Sequence, residues 1–150
     1  METVKHEFKQ QYKSSLEVSR NIANDVKAYW AGIGLGPDVI DQIELCLVEM
    51  VNNAYEHAYH SEDGCPIELT SYLNDKNELV TEISDYGQSM SKDEFTKAVN
   101  NEFIEPDPAD PETWATSGRG FIIVVQLTDN LEYINLGDKN TFRLYKNTKK

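Results

Sequence analysis

The stretch ELCLVEMVNNAYEHAYH, Glu44–His60, constrains the fold more than any other part of the chain. Ile40, Ile43, Leu47, Val51, Ala54 and Ala58 recur at helical spacing and fall within one arc, which predicts a long helix with one buried face. Pro37 suits its first turn, and Asp38 and Asp41 favour the positive end of its dipole. The pattern runs to about Tyr59, about 23 residues or roughly 34 Å. Beside the core face, Glu49, Asn53 and His57 form a second stripe at i, i+4 and i+8. A solvated helix flank normally carries lysine or arginine, yet the chain has neither between Lys27 and Lys76. Amide and carboxylate oxygens without cations suit a divalent metal of the Mg²⁺ kind.

A helix with one apolar face needs a second layer, and the rest of the chain supplies candidates. Residues 4–12 hint at a strand with Val4, Phe8 and Tyr12 on one side. Ser14 or Ser15 is placed to cap a first helix carrying Leu16, Val18, Ile22, Val26 and Trp30. GIGLGPD stops that helix. PIELTSYLN and NELVTEISD, joined by a short polar turn, read as an antiparallel hairpin with Ile67, Leu69, Ser71 and Leu73 alternating on one strand and Leu79, Thr81 and Ile83 on the other. Residues 86–117 hold three of the five prolines, and a loop of this length is normally functional. FIIVVQL, residues 121–127, is apolar on every side; its β-branched content leans toward a strand. LEYINLG and NTFRLYKN close the chain as two more strands. The expected fold class is α+β, a two-layer sandwich with helices on one face of a sheet, and 150 residues suit one domain, 1–150.

Charge narrows the partners. A formal charge of −12 disfavours wrapping nucleic acid or lying on an anionic membrane. An anionic ligand would have to be met locally, by backbone N–H groups or a metal ion. No secretory signal or run of about 18 apolar residues occurs, so a cytoplasmic protein is expected, with Cys46 and Cys65 as reduced thiols. His60 with either cysteine makes no known zinc spacing.

Two further motifs join the helix stripe. DYGQSM, Asp85–Met90, follows a strand; a carboxylate there with glycine two residues on lets a flat ligand approach the backbone, and an ordinary Asp/Gly turn has the same signature. SGRGF, Ser117–Phe121, sets Gly118 and Gly120 around Arg119. If a helix follows, its free N–H groups make an anion site.

In order and spacing, Glu-x-x-x-Asn-x-x-x-His on a helix, Asp-x-Gly after a hairpin, and a long loop ending in Gly-x-Gly resemble the GHKL ATPase superfamily over nearly the whole chain. Within it the chain looks like the bacterial anti-sigma-factor serine/threonine kinases. The resemblance implies a Bergerat-type sandwich with a mixed, mainly antiparallel sheet, three helices on one face, a helix at 121–128 and an ATP lid at about 86–117. It implies ATP and Mg²⁺, with Asn53 holding the metal and Glu49 as general base. Asp85 would accept a hydrogen bond from the adenine amino group, Gly87 would let the purine lie close, and Met90 would pack on it. Ser117, Gly118, Arg119, Gly120 and Phe121 would serve the phosphates, and Thr141 would stand near the adenine. His57 matches a common position and is read as a structural imidazole. The implied activity is phosphorylation of a STAS-type anti-anti-sigma protein, with a sigma factor as further partner and homodimers known among relatives. Two positions depart from the pattern: Ser89 and Asn140 stand where glycine is usual. They favour the alternative, a nucleotide-dependent module that sequesters a regulator without phosphoryl transfer.

Overall fold

The computed structural model describes residues 7–99 and 119–148, with the backbone alone at Lys92, 97–99 and 119–122. Strand β1 (Glu7–Lys13) leads into helices α1 (Val18–Gly32) and α2 (Pro37–Asn53), and a π-helical turn (Ala54–Ala58) extends α2. The hairpin β2 (Pro66–Leu73) and β3 (Glu78–Asp85) follows, then α3 (Lys92–Val99), α4 (Arg119–Leu127), β4 (Asn130–Leu136) and β5 (Lys139–Asn147). The strands lie in the order β1-β2-β3-β5-β4. Among the described residues every pairing is antiparallel: the mainly antiparallel sheet that the resemblance implied is there, without the parallel pair of a mixed one.

Alternation along the strands splits the sheet into two unlike faces. Ile67, Leu69, Leu79, Ile83, Phe142 and Leu144 turn inward and bury against Val18, Ile22, Val26 and Trp30 of α1, Ile43, Leu47, Met50 and Val51 of α2, and Val124 of α4. The polar residues within this pattern have a use: Trp30, fully buried, donates its indole N–H to Ser71 Oγ (3.0 Å), which pairs with Thr81 Oγ1 (3.0 Å). The opposite face is tied by charge, with Arg143 between Glu82 (2.8 Å) and Glu132 (3.3 Å) and Lys139 on Glu68 (3.2 Å).

The element ends differ from expectation where local chemistry is spent elsewhere. Neither Ser14 nor Ser15 caps α1, whose N-cap is Glu17 without a side-chain bond. Ser14 is buried instead; its hydroxyl donates to Glu62 O and accepts from Cys65 N–H, fastening the end of β1 to the entry of β2. Leu16, ahead of the helix, is exposed, and Val4 lies outside the described residues. Gly34, at φ +92°, makes the break after α1 that a side chain would resist. FIIVVQL lies in α4, as the resemblance implied and against its β-branched lean. No helix among the described residues is long and apolar enough to cross a membrane.

Candidate functional site

The regular winding of α2 ends at Asn53, and the next five residues wind more widely, with Tyr59 N–H donating to Ala54 O at 3.0 Å. A π turn has poorer hydrogen bonding than an α-helix and is often found at functional positions. At its end the unpaired carbonyl of Ala58 accepts from Gln88 N–H at 2.8 Å. His60 and Ser61 follow in left-handed backbone (φ 52° and 61°), and His60 Nε2 meets Gln88 Oε1 at 2.8 Å. Tyr59 OH donates to Pro66 O and accepts from Tyr86 N–H (2.8 Å). The end of the helix and the segment after β3 are thereby one unit.

Gly87 has its reason there. A Cβ at this position would sit 2.3 Å from Ala58 O and 2.8 Å from a Tyr59 ring carbon. The glycine expected to admit a purine is already required by the approach of the π turn.

Asp85 ends β3 on the inner face, 2% exposed. Its Oδ1 accepts from Gly87 N–H and from Asn140 Nδ2, both at 2.9 Å. No described donor reaches Oδ2. Since no buried side-chain oxygen among the described residues lacks a partner, Oδ2 keeps contact with solvent. Burial raises the carboxyl above its ordinary value, while the Asn140 and Gly87 donors pull the other way. The result is an acceptor held on one side and open on the other.

Asn140 completes this arrangement. It lies opposite Asp85 in the β3–β5 register, 1% exposed, and also donates to Gly87 O (3.0 Å) while accepting from Ser89 Oγ (2.8 Å) and Asn135 Nδ2. The two departures from the expected pattern, Ser89 and Asn140, are therefore bonded to each other. Thr141 does not stand beside Asp85: it pairs with Ser84 on the other face, hydroxyl to hydroxyl at 2.8 Å. The clue was in the sequence. Phe142 and Leu144 point inward, so Asn140 must as well, and Thr141 must point out.

Glu49 and Asn53, one turn apart on α2, are both half-buried. Burial, and next the charge of Glu56, raise the Glu49 carboxyl. Neither residue pairs with a described cation. Among the described residues no three His, Cys, Asp or Glu side chains cluster as a metal cage. His57 is half-buried on the same stripe.

Met90 packs against the core while its N–H donates to Tyr133 OH (2.9 Å). Ser91 and Glu94 exchange backbone-to-side-chain bonds of 3.0 and 2.8 Å, a capping box that starts α3 inside the expected lid. Phe95 then stacks on Tyr133 at 5.7 Å between ring centres. α4 begins at Arg119, which puts Arg119, Gly120 and Phe121 in its first turn. Ser117, Gly118 and residues 100–116 of the lid lie outside the described residues.

Comparison with known proteins gives the family and the fold. Residues 12–146 match the family described as histidine kinase-like ATPase domain, and the chain belongs to it. No curated protein matches. Among solved structures, the fold is similar to the RsbU and RsbW domains of Rv1364c from Mycobacterium tuberculosis, with TM-score 0.66 and 16% identity over 95% of this chain and 32% of that one. This chain thus spans about a third of the length of that solved chain. It is equally similar to a chain of the SiaB–SiaC complex from Pseudomonas aeruginosa, TM-score 0.66 and 11% identity, covering 91% of this chain and 88% of that one. The catalytic domain of the histidine kinase ThkA follows at TM-score 0.55 and 13% identity, covering 93% and 96%.

Proposed function

We propose that this protein is an ATP-dependent serine/threonine protein kinase acting as an anti-sigma regulatory factor in a cytoplasmic partner-switching system. Its substrate would be a STAS-type anti-anti-sigma protein, and a sigma factor and a second copy of the chain its other partners. The observation that carries the reading is Asp85. It is a buried carboxylate with one oxygen pinned by Asn140 and Gly87 and the other open. Such an acceptor matches the exocyclic amino group of adenine. Two bonds of Gln88, to Ala58 O and His60 Nε2, tie the segment after Asp85 to the π turn that extends α2.

The donor set fits Mg²⁺ carried with a nucleotide: an amide oxygen at Asn53 and a carboxylate at Glu49, on a stretch without lysine or arginine. Asn53 would hold the ion, which when bound neutralises charge on the phosphates. The first turn of α4, with Gly120, offers backbone donors to the same phosphates. Glu49 has the chemistry of a general base. Its raised proton affinity suits it to take the proton of a partner's hydroxyl as that oxygen bonds to the γ-phosphorus and the bond from γ-phosphorus to the β–γ bridging oxygen breaks, releasing ADP. Met90 and the side chains around Tyr133 would line the base.

Incubation with γ-labelled ATP, Mg²⁺ and a STAS-domain partner tests the reading. Label on the partner is expected. Glu49→Gln should keep ATP affinity within a few-fold and cut transfer by roughly 100-fold or more. Undiminished transfer would remove Glu49 from this role, and tight ATP binding by the wild type with no transfer would favour the sequestering module.

A further inference from the structure

We propose that Asn140, oriented by Ser89, is a positioning residue that sets purine selectivity by holding Asp85 with a single free acceptor; this rests on the nucleotide reading above. The amide of Asn140 can make four hydrogen bonds, and all four are made. Its two N–H groups go to Asp85 Oδ1 (2.9 Å) and Gly87 O (3.0 Å). Its oxygen accepts from Ser89 Oγ (2.8 Å) and Asn135 Nδ2. Asn135 Nδ2 also reaches Ser89 Oγ at 3.0 Å. The reverse orientation would turn the amide oxygen onto a carboxylate and a carbonyl, and the amide nitrogen onto the nitrogen of Asn135. The network therefore fixes which end of Asn140 faces Asp85.

Three strands and the root of the lid meet in this cluster: Asp85 from β3, Asn140 from β5, Asn135 from β4 and Ser89 after the Asp-x-Gly turn. Its consequence for a ligand is directional. With Oδ1 occupied twice by protein donors, a base can bond only to Oδ2. A purine with an amino group at C6 supplies the donor that Oδ2 lacks, whereas a C6 carbonyl sets acceptor against acceptor and leaves the carboxylate unpaired, the kind of mismatch that discriminates most strongly. A glycine at either position would leave Asp85 with one donor fewer or Asn140 free to turn.

Among the described residues, the titratable groups beside Asp85 are Tyr59, after the π turn, and Tyr133 on β4. Burial pushes Tyr59 up to about 12 and raises Tyr133 as well. Both stay neutral where carboxyl groups titrate, so the charge of Asp85 is set by burial, which raises the carboxyl, against the two donors on Oδ1, which lower it. Losing the Asn140 donor should move the Asp85 titration to higher pH.

Two readouts on folded wild type, Asn140→Ala and the isosteric Asn140→Asp test this. The first is the Asp85 carboxyl ¹³C titration in the protein without nucleotide. The second is the ratio of affinities for ATP and ITP, which differ in the group at C6. The wild type should prefer ATP at least tenfold. Both variants should raise the Asp85 midpoint and cut the ratio at least threefold, with ITP affinity within about twofold. Ser89→Ala should give a smaller change in the same direction, and none on top of Asn140→Ala. A midpoint that moves with an unchanged ratio marks a merely structural contact and overturns the proposal. A ratio that falls with an unchanged midpoint means that Asn140 acts on the base directly, and overturns it too. A wild type that binds neither nucleotide overturns the nucleotide reading itself, and the Asp85 midpoint then still decides whether Asn140 governs that carboxyl.

Discussion

Two consecutive cross-strand pairs of β3 and β5, Ser84 with Thr141 and Asp85 with Asn140, differ in only one respect that chemistry cares about. All four residues are buried, between 1% and 9% exposed. Ser84 and Thr141 lie on the outer face and satisfy one another, hydroxyl to hydroxyl at 2.8 Å. Asp85 and Asn140 lie on the inner face, and there the bonding leaves one carboxylate oxygen over. A pair that closes on itself is structure. A pair held rigid with one acceptor to spare is what the proposed site needs, and it costs stability to keep, because burial disfavours the charged form.

The largest way to break the inner arrangement is through its floor. Gly87→Ala sets a methyl group against the Ala58 carbonyl, a backbone atom that cannot swing aside. It should destabilise the protein by roughly 3 kcal/mol, the upper range for overpacking. Urea unfolding measures this; a loss below about 1 kcal/mol would mean the π turn yields easily.

Removing the charge should separate stability from binding. Asp85→Asn is expected to weaken ATP by roughly 10- to 100-fold, the value of a hydrogen bond to a charged partner. It should nevertheless raise the melting temperature at pH 7. The folded carboxyl titrates above its unfolded counterpart, so the cost of the ionised form is absent below the ordinary carboxylate range. That cost grows as pH rises through the unfolded and then the folded value. The gain from Asp85→Asn should vanish below about pH 4. Melting curves across pH check the sign, and a gain that grows in acid would reverse the argument.

The smallest effect belongs to the outer pair. Thr141→Val leaves one Ser84 hydroxyl without its partner, at a cost of about 1 kcal/mol. ATP affinity should stay within about twofold. A tenfold loss would place the nucleotide against the outer face.

How far the sequence was legible follows the same division. Strand faces were readable because alternation is strict: the hairpin, its inward residues and the two closing strands lie where their patterns put them. The long helix was readable from its apolar arc, but its π turn was not, since no residue type demands one. Where it ends, the Ala58 carbonyl accepts from Gln88 N–H, a partner that only the fold supplies. FIIVVQL misled because a uniformly apolar segment has no period; packing against α2 in the core, not propensity, decides its state. Ser14 misled because a hydroxyl near a helix start was closer to two backbone groups of the β2 entry.

The candidate site was partly legible. Glu49 and Asn53 stood out by spacing, Asp85 and Gly87 by the resemblance, and the fold ties the turn that carries Asp85 and Gly87 to the end of the long helix. Asn140 was visible only as a departure from a resemblance, although alternation from Phe142 and Leu144 already turned it inward and turned Thr141 away. The resemblance pointed to Thr141, whereas the register sets its neighbour Asn140 beside Asp85. Ser89 could not be paired with Asn140 from sequence, because 51 residues separate them and only the sheet brings them together.

The central claim, that a purine sits on the inner pair, is tested most directly by following two side chains during one NMR titration with ATP and Mg²⁺. The Asn140 side-chain amide should shift as the site fills, and the Thr141 methyl group should not. A Thr141 methyl that moves while the Asn140 amide stays still would contradict the account.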